Sequence, residues 1–157
     1  IIDETRDEQL FSRKDQLLTN STELVFETIN CSALNAEELR RESGFEVINE
    51  SFNRCVSMLS PFTKDAGIAS LNDTETMSVQ VSIHVTKCFA RAAQFEQCRE
   101  KIHSLSNLVK DLCRCLQFKN LPRLCTTAAE AVSALAPDNM LQTAMYNCGV
   151  LVHLLFY

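Results

Sequence analysis

Eight cysteines and three histidines are the residues of this 157-residue chain whose types are most often recruited for chemistry. A catalytic thiolate needs a base, a cation or a helix N-terminus beside it, and a zinc site needs ligands at short, regular spacing. The cysteines stand at 31, 55, 88, 98, 113, 115, 125 and 148, and no Cys-x-x-Cys occurs among them. Cys113 and Cys115 are separated by one residue, which is poor zinc spacing even with His103 in the same region. His84, His103 and His153 fall on three different predicted helices and share no motif. There is no Gly-rich phosphate loop, no G-x-S-x-G and no paired-histidine metal motif. The expectation is a protein that is not an enzyme and uses no cofactor or metal. An enzyme with Cys113 or Cys115 as nucleophile is the weaker reading, because the sequence places no activating group beside either thiol.

The cysteines leave two readings of the chain. Most of them replace an aliphatic residue inside a helical pattern, where a reduced thiol behaves as a small hydrophobe; this predicts a cytoplasmic chain with free thiols. The alternative is a secreted, disulfide-bonded helical bundle of cytokine-like size that signals by receptor binding. An even cysteine count supports it, as do four glycosylation-type triplets beginning at Asn20, Asn30, Asn49 and Asn72. Three of the four triplets fall inside predicted helices, where an acceptor loop is not expected.

The elements that must position these residues follow from composition. Apolar residues make up 46% of the chain and charged residues 22%, enough to fill the core of one domain. A net charge of −5 with no long basic run argues against nucleic acid or an anionic membrane as partner. Three glycines and three prolines leave too little turn chemistry for a hairpin-rich sandwich or barrel. No run approaches the roughly 18 to 20 apolar residues of a membrane span. The chain opens Ile1-Ile2-Asp3, without initiator Met or signal peptide, and is expected to be cut from something longer.

Hydrophobic spacing reads as helices throughout. Leu17, Leu18, Leu24, Val25 and Ile29 predict a helix over 13–31. Asn35 with Glu38 reads as a capping box, opening a short helix over 36–43 that Gly44 closes in a left-handed turn. Phe45, Ile48, Phe52, Cys55, Val56 and Leu59 trace one face over 45–59, and 60–75 reads as a loop. Val79, Val81, Ile83 and Val85 alternate as in a strand, but Met77, Val81, Val85, Cys88, Phe89 and Ala92 keep helical spacing, so 76–93 is predicted helical. Helices over 95–103, 105–118, 122–136 with Pro122 in its first turn, 138–147 and 149–157 complete the chain.

These boundaries repeat. A short helix followed by two longer ones occurs as 35–93, with 60–75 as an insertion, and again as 95–136; 138–157 begins a third round and 13–31 is a lone third helix. A period near 40 residues with three helices suits armadillo-type units. CREKIHSLSNLVKDL and NCGVLVHLL resemble the armadillo corner between a short and a long helix, and VTKCFARAA and AEAVSALAP resemble its third helix. The predicted fold is therefore all-α: an armadillo-like right-handed α-solenoid, truncated at both ends, in which each layer buries its neighbour. At the C-terminal cut Val150, Leu151, Leu154, Leu155 and Phe156 are expected to stand unburied.

In that resemblance the third helices line a groove. This places Gln80, His84, Lys87 and Arg91 beside Arg123, Thr127, Glu130 and Ala134, with Thr19, Glu23, Phe26 and Asn30 from the partial unit. Peptide-gripping armadillo proteins carry an Asn where Asn30, Arg91 and Ala134 stand here, and the Trp of those proteins is missing.

SALNAEELRRESGFEV over 32–47, MSVQVSIHVTKCFARAAQFEQCREKI over 77–102 and KDLCRCLQF resemble the receptor-mediated endocytosis protein eight family of large endosomal DnaJ-domain proteins. The resemblance implies a cytoplasmic scaffold segment, peripheral on the early endosome membrane, working in endocytosis, clathrin dynamics and cargo recycling. Implied partners are sorting nexins with retromer, the WASH complex, and the seventy-kilodalton heat-shock chaperone, the last through a J domain. The His-Pro-Asp of a J domain and the family's Ile-Trp-Asn repeat motif are both absent from this sequence.

Overall fold

In the computed structural model, residues 2–63 and 70–155 are described, with side chains over 13–61 and 70–155. The described residues are helical, with no strand among them: α1 Ile2–Cys31, α2 Ala33–Arg41, α3 Gly44–Leu59, a 3-10 turn Ser60–Thr63, α4 Asp73–Ala92, α5 Glu96–His103, α6 Leu108–Cys115, α7 Pro122–Leu135, α8 Asn139–Asn147 and α9 Val150–Leu155. Val79–Val85 lies inside α4, so the helical period prevails over the alternation: Val79, Val81, Ile83 and Val85 are all buried because α4 is covered on several sides. Residues 64–69 of the expected loop and 156–157 of the last expected helix, including Phe156, lie outside the described residues.

α4 is the centre of the molecule. It packs between α1 and α7 and also against α3, while α3 packs on α6 and α2 on α5. Phe45, Phe52, Phe89 and Phe118 are fully buried, and the rings of Phe45 and Phe89 meet at 5.9 Å. Such tilted aromatic pairs add roughly 0.5–1.5 kcal/mol beyond the area they bury. Cys55, Cys88, Cys98, Cys113, Cys115 and Cys125 are buried, Cys148 is half-buried and Cys31 is exposed; all eight are free thiols. Six of them occupy core positions as small hydrophobes, as the helical pattern predicts.

Polar residues tie α3 to the α5–α6 region. The Asn49 amide donates to the Ser106 carbonyl at 3.1 Å, and the Asn53 amide donates to Asp111 at 2.7 Å. Asp111 is 1% exposed and also accepts from Arg114, whose guanidinium reaches the Ser60 hydroxyl. A buried carboxylate persists only with partners of this kind, since an uncompensated charge in the interior is strongly unfavourable.

Helix boundaries depart from the sequence reading where side chains find distant partners. Ser32, not Asn35, caps α2 by accepting from the Leu34 amide; Asn35 instead donates across to the Thr28 carbonyl of α1. Its packing against α1 thus displaces the expected capping box. A capping box does form at Asn72–Glu75, which starts α4 inside the stretch read as loop. Residues 105–107 form a corner before α6 rather than its first turn. The corner between α2 and α3 is taken by Ser43 at φ 58°, not by Gly44. Gly44 is needed for space: a Cβ there would stand 2.2 Å from Leu39 Cδ1.

Asn107 at φ 68° and Gly149 at φ 73° turn the chain in the same left-handed way before α6 and α9. Three helix–helix corners, before α3, α6 and α9, thus share one backbone conformation. Asn and Gly carry the smallest penalty for it. Asp138 caps α8 by accepting from the Met140 and Leu141 amides, and His103 at the end of α5 approaches its other oxygen at 2.8 Å.

Candidate interaction surface

Past its first turn, α4 buries every residue except Met77, Gln80, His84, Lys87, Ala90 and Arg91. Spacings of three and four residues put Gln80, His84, Lys87 and Arg91 on one strip, because a helix returns to the same face every 3.6 residues. All four are half-buried on α4, which packs between α1 and α7.

The packing joins part of the sequence-predicted stripe across three helices. The Thr22 hydroxyl of α1 lies 3.4 Å from His84 Nδ1. Burial holds the His84 ring below the usual imidazole range; Glu23 opposes that shift, and Lys87 and Arg123 reinforce it. The Lys87 ammonium sits 5.5 Å from the centre of the Phe26 ring, a cation–π contact. Glu23 and Phe26 of α1, His84 and Lys87 of α4 and Arg123 of α7 therefore form one mixed-charge ridge.

Arg91 belongs elsewhere. Its guanidinium stacks 5.0 Å from the Phe95 ring and is hydrogen-bonded to Gln94, so it folds back over the α4–α5 junction. Thr127, expected in the stripe, is instead buried at 9% exposure, its hydroxyl donating to the Leu124 carbonyl. α7 is packed against α4, α6 and α8. Arg123 and Glu130 are exposed, Ala134 and Thr19 half-buried, and Asn30 exposed. Ala134 borders a cavity of about 630 Å³ shared with Ala93, Arg99 and Asp138.

Cys88, Cys113 and Cys115 are in surroundings opposite to those of a nucleophile. Burial pushes Cys113 up to about 11 and Cys88 up to about 12, and holds Cys115 well above the ordinary thiol range. Cys113 donates to the Cys148 carbonyl at 2.9 Å and Cys125 to the Leu116 carbonyl at 3.3 Å. Among the described residues no group of three or more His, Cys, Asp or Glu side chains is placed to hold a metal ion. No helix among them is long and apolar enough to cross a membrane.

A second concave region sits between α3 and the corner before α6. Glu46, Asn49, Glu50 and Asn53 face Ser106 and Asn107 across a cavity of about 270 Å³. Sequence reasoning passed over it, because its two walls are far apart in the chain and no motif joins them.

An all-helical protein is the class that the described residues define. The chain is 26% identical over 157 residues, 98% of its length, to DnaJ homolog subfamily C GRV2 of Arabidopsis thaliana. It spans 6% of the length of that relative. No protein-family model and no solved structure matches it.

Proposed function

We propose that the chain is a non-catalytic segment of an armadillo-like right-handed α-solenoid, belonging to a J-domain co-chaperone of the endosomal family that the sequence resembles. Its role is to present surface to protein partners in endocytosis and endosomal recycling. The observation that carries this is the similarity to a DnaJ homolog along nearly the whole chain.

The packing supports the solenoid part. α1, α4 and α7 stack in succession, α3 stacks on α6 and α2 on α5, and left-handed corners recur at Ser43, Asn107 and Gly149. Stacking of each unit on its neighbours is the contact pattern of such arrays. The free thiols favour this reading over a secreted, disulfide-bonded bundle.

The ridge formed by Glu23, Phe26, His84, Lys87 and Arg123 is the contact surface on this reading, with sorting-nexin, retromer and WASH components as the partner class. Titration of sorting-nexin fragments into the wild-type chain and into the Lys87→Glu/Arg123→Glu double variant tests it. Loss of affinity only in the variant, with an unchanged circular dichroism spectrum, supports the ridge; equal affinity removes the ridge as the contact.

A further inference from the structure

We infer that the cavity between α3 and the corner before α6 is a binding site for the guanidinium group of a partner protein's arginine side chain. Asn49 carries the argument. It is 9% exposed, and its Nδ2 donates to the Ser106 carbonyl, which fixes the amide orientation and leaves Oδ1 as an acceptor. That oxygen is buried without a hydrogen-bond partner.

Glu46, one turn earlier, adds a carboxylate that is paired with Lys101 and also accepts from its own backbone amide. The Lys101 hydrogen bond holds the Glu46 carboxyl below its usual range, so it is ionised at neutral pH. Asn53 also commits its Nδ2 inward, to Asp111. Glu50 adds an exposed carboxylate to the lining. The residues around this cavity therefore offer acceptors in excess of donors, and buried acceptors left alone are unfavourable.

The complementary occupant is cationic, rich in N–H groups and long enough to enter. A guanidinium supplies five donors in a plane on a flexible apolar stem, whereas an ammonium supplies three from one point and is more strongly hydrated. The chain's net charge of −5 attracts such a group from a distance. The site lies on α3 and not on the α4 ridge, so it stands or falls separately from the partners proposed above.

The test is a nitrogen-15 NMR titration of the whole chain with Nα-acetyl-arginine-N-methylamide, its lysine and citrulline counterparts, and free arginine. The capped arginine is expected to give saturable shifts at the Asn49 side-chain amide and at the Ser106 and Asn107 backbone amides. The citrulline compound, which has the same shape without the charge, should give none, and the lysine compound should bind more weakly. Glu50→Gln, at an exposed position that the fold does not use, should weaken capped arginine about tenfold. Absence of saturable shifts at these amides, equal shifts from citrulline, equal or tighter binding of lysine, or unchanged affinity in Glu50→Gln would overturn the assignment. Tighter binding of free arginine than of the capped residue would overturn the side-chain source.

Discussion

α4 and α9 are both apolar-rich helices, yet their surroundings are opposite. α4 has α1, α3 and α7 around it and buries Val81, Val85, Cys88 and Phe89 completely. α9 follows the same kind of left-handed corner as α6 but buries only Val150, leaving Leu151, Val152, Leu154 and Leu155 exposed. Val132, Tyr146, Leu151 and Leu154 border an open groove of about 490 Å³ at this end. An amphipathic pattern thus marks which face can be buried, while the neighbour decides whether it is. Burial of a large apolar side chain is worth roughly 1.5–3 kcal/mol only when something covers it.

Truncation at matched sites sharpens the contrast. Phe89→Ala should cost about 3–5 kcal/mol in urea unfolding, because the cavity it leaves is enclosed on several sides. Leu155→Ala, at a residue 83% exposed, should stay within about 0.5 kcal/mol. A comparable loss at both positions would mean that α9 is covered in solution, and the contrast would fail.

The polar link between α3 and α6 comes next. Asp111→Ala leaves Asn53 without its acceptor and Arg114 without its carboxylate, and should cost about 2–3 kcal/mol; the partial exposure of Arg114 keeps the figure below that for a fully buried pair. The two glycines before α3 and α9 should separate steric from backbone causes. Gly44→Ala pushes a methyl into Leu39 and should cost about 1–3 kcal/mol. Gly149→Ala meets nothing within 4 Å, so its cost of about 1–2 kcal/mol comes from the positive φ alone. Replacing Leu39 by Ala should relieve part of the first loss, since the Leu39 carbonyl stays 3.0 Å from the added methyl, and leave the second unchanged.

The smallest effect is a pH dependence on the α4 ridge. Because burial lowers the folded-state pKa of His84, the unfolded chain takes up the proton first, near pH 6.5. The contribution of neutral His84 is therefore complete above that pH and is lost as the pH falls below it. Urea unfolding of wild type and His84→Asn between pH 7.5 and 5.5 should show the wild type losing more stability on acidification. Parallel curves would mean that His84 is solvated in the fold.

Much of this molecule was readable in advance where periodicity was strong. The faces of α3, α4 and α7, the core role of most cysteines and the position of Pro122 at the start of α7 all follow from apolar spacing and local backbone chemistry. The α4 strip was readable for the same reason, since four polar residues three and four apart on an otherwise apolar helix must share its outer face. Arg91 and Thr127 were misplaced in it because spacing gives direction around a helix axis but not what a neighbour covers or attracts. Arg91 found Phe95, and Thr127 is buried by the helices packed around α7. Asn35 failed as a cap for a similar reason: α1 offered it the Thr28 carbonyl, and Ser32 took the capping role.

What the sequence by itself determined is the helical class and the inward face of each long helix, because period and burial are written in residue types a few positions apart. Only the tertiary structure decided that Ser43 and not Gly44 turns left-handed, since the glycine is reserved for the approach of Leu39. It alone also brought Asn49 to Ser106, 57 residues away, and created the acceptor-lined cavity between them. Local patterns carry no record of which distant backbone carbonyl a side chain will meet; that depends on how whole helices stack.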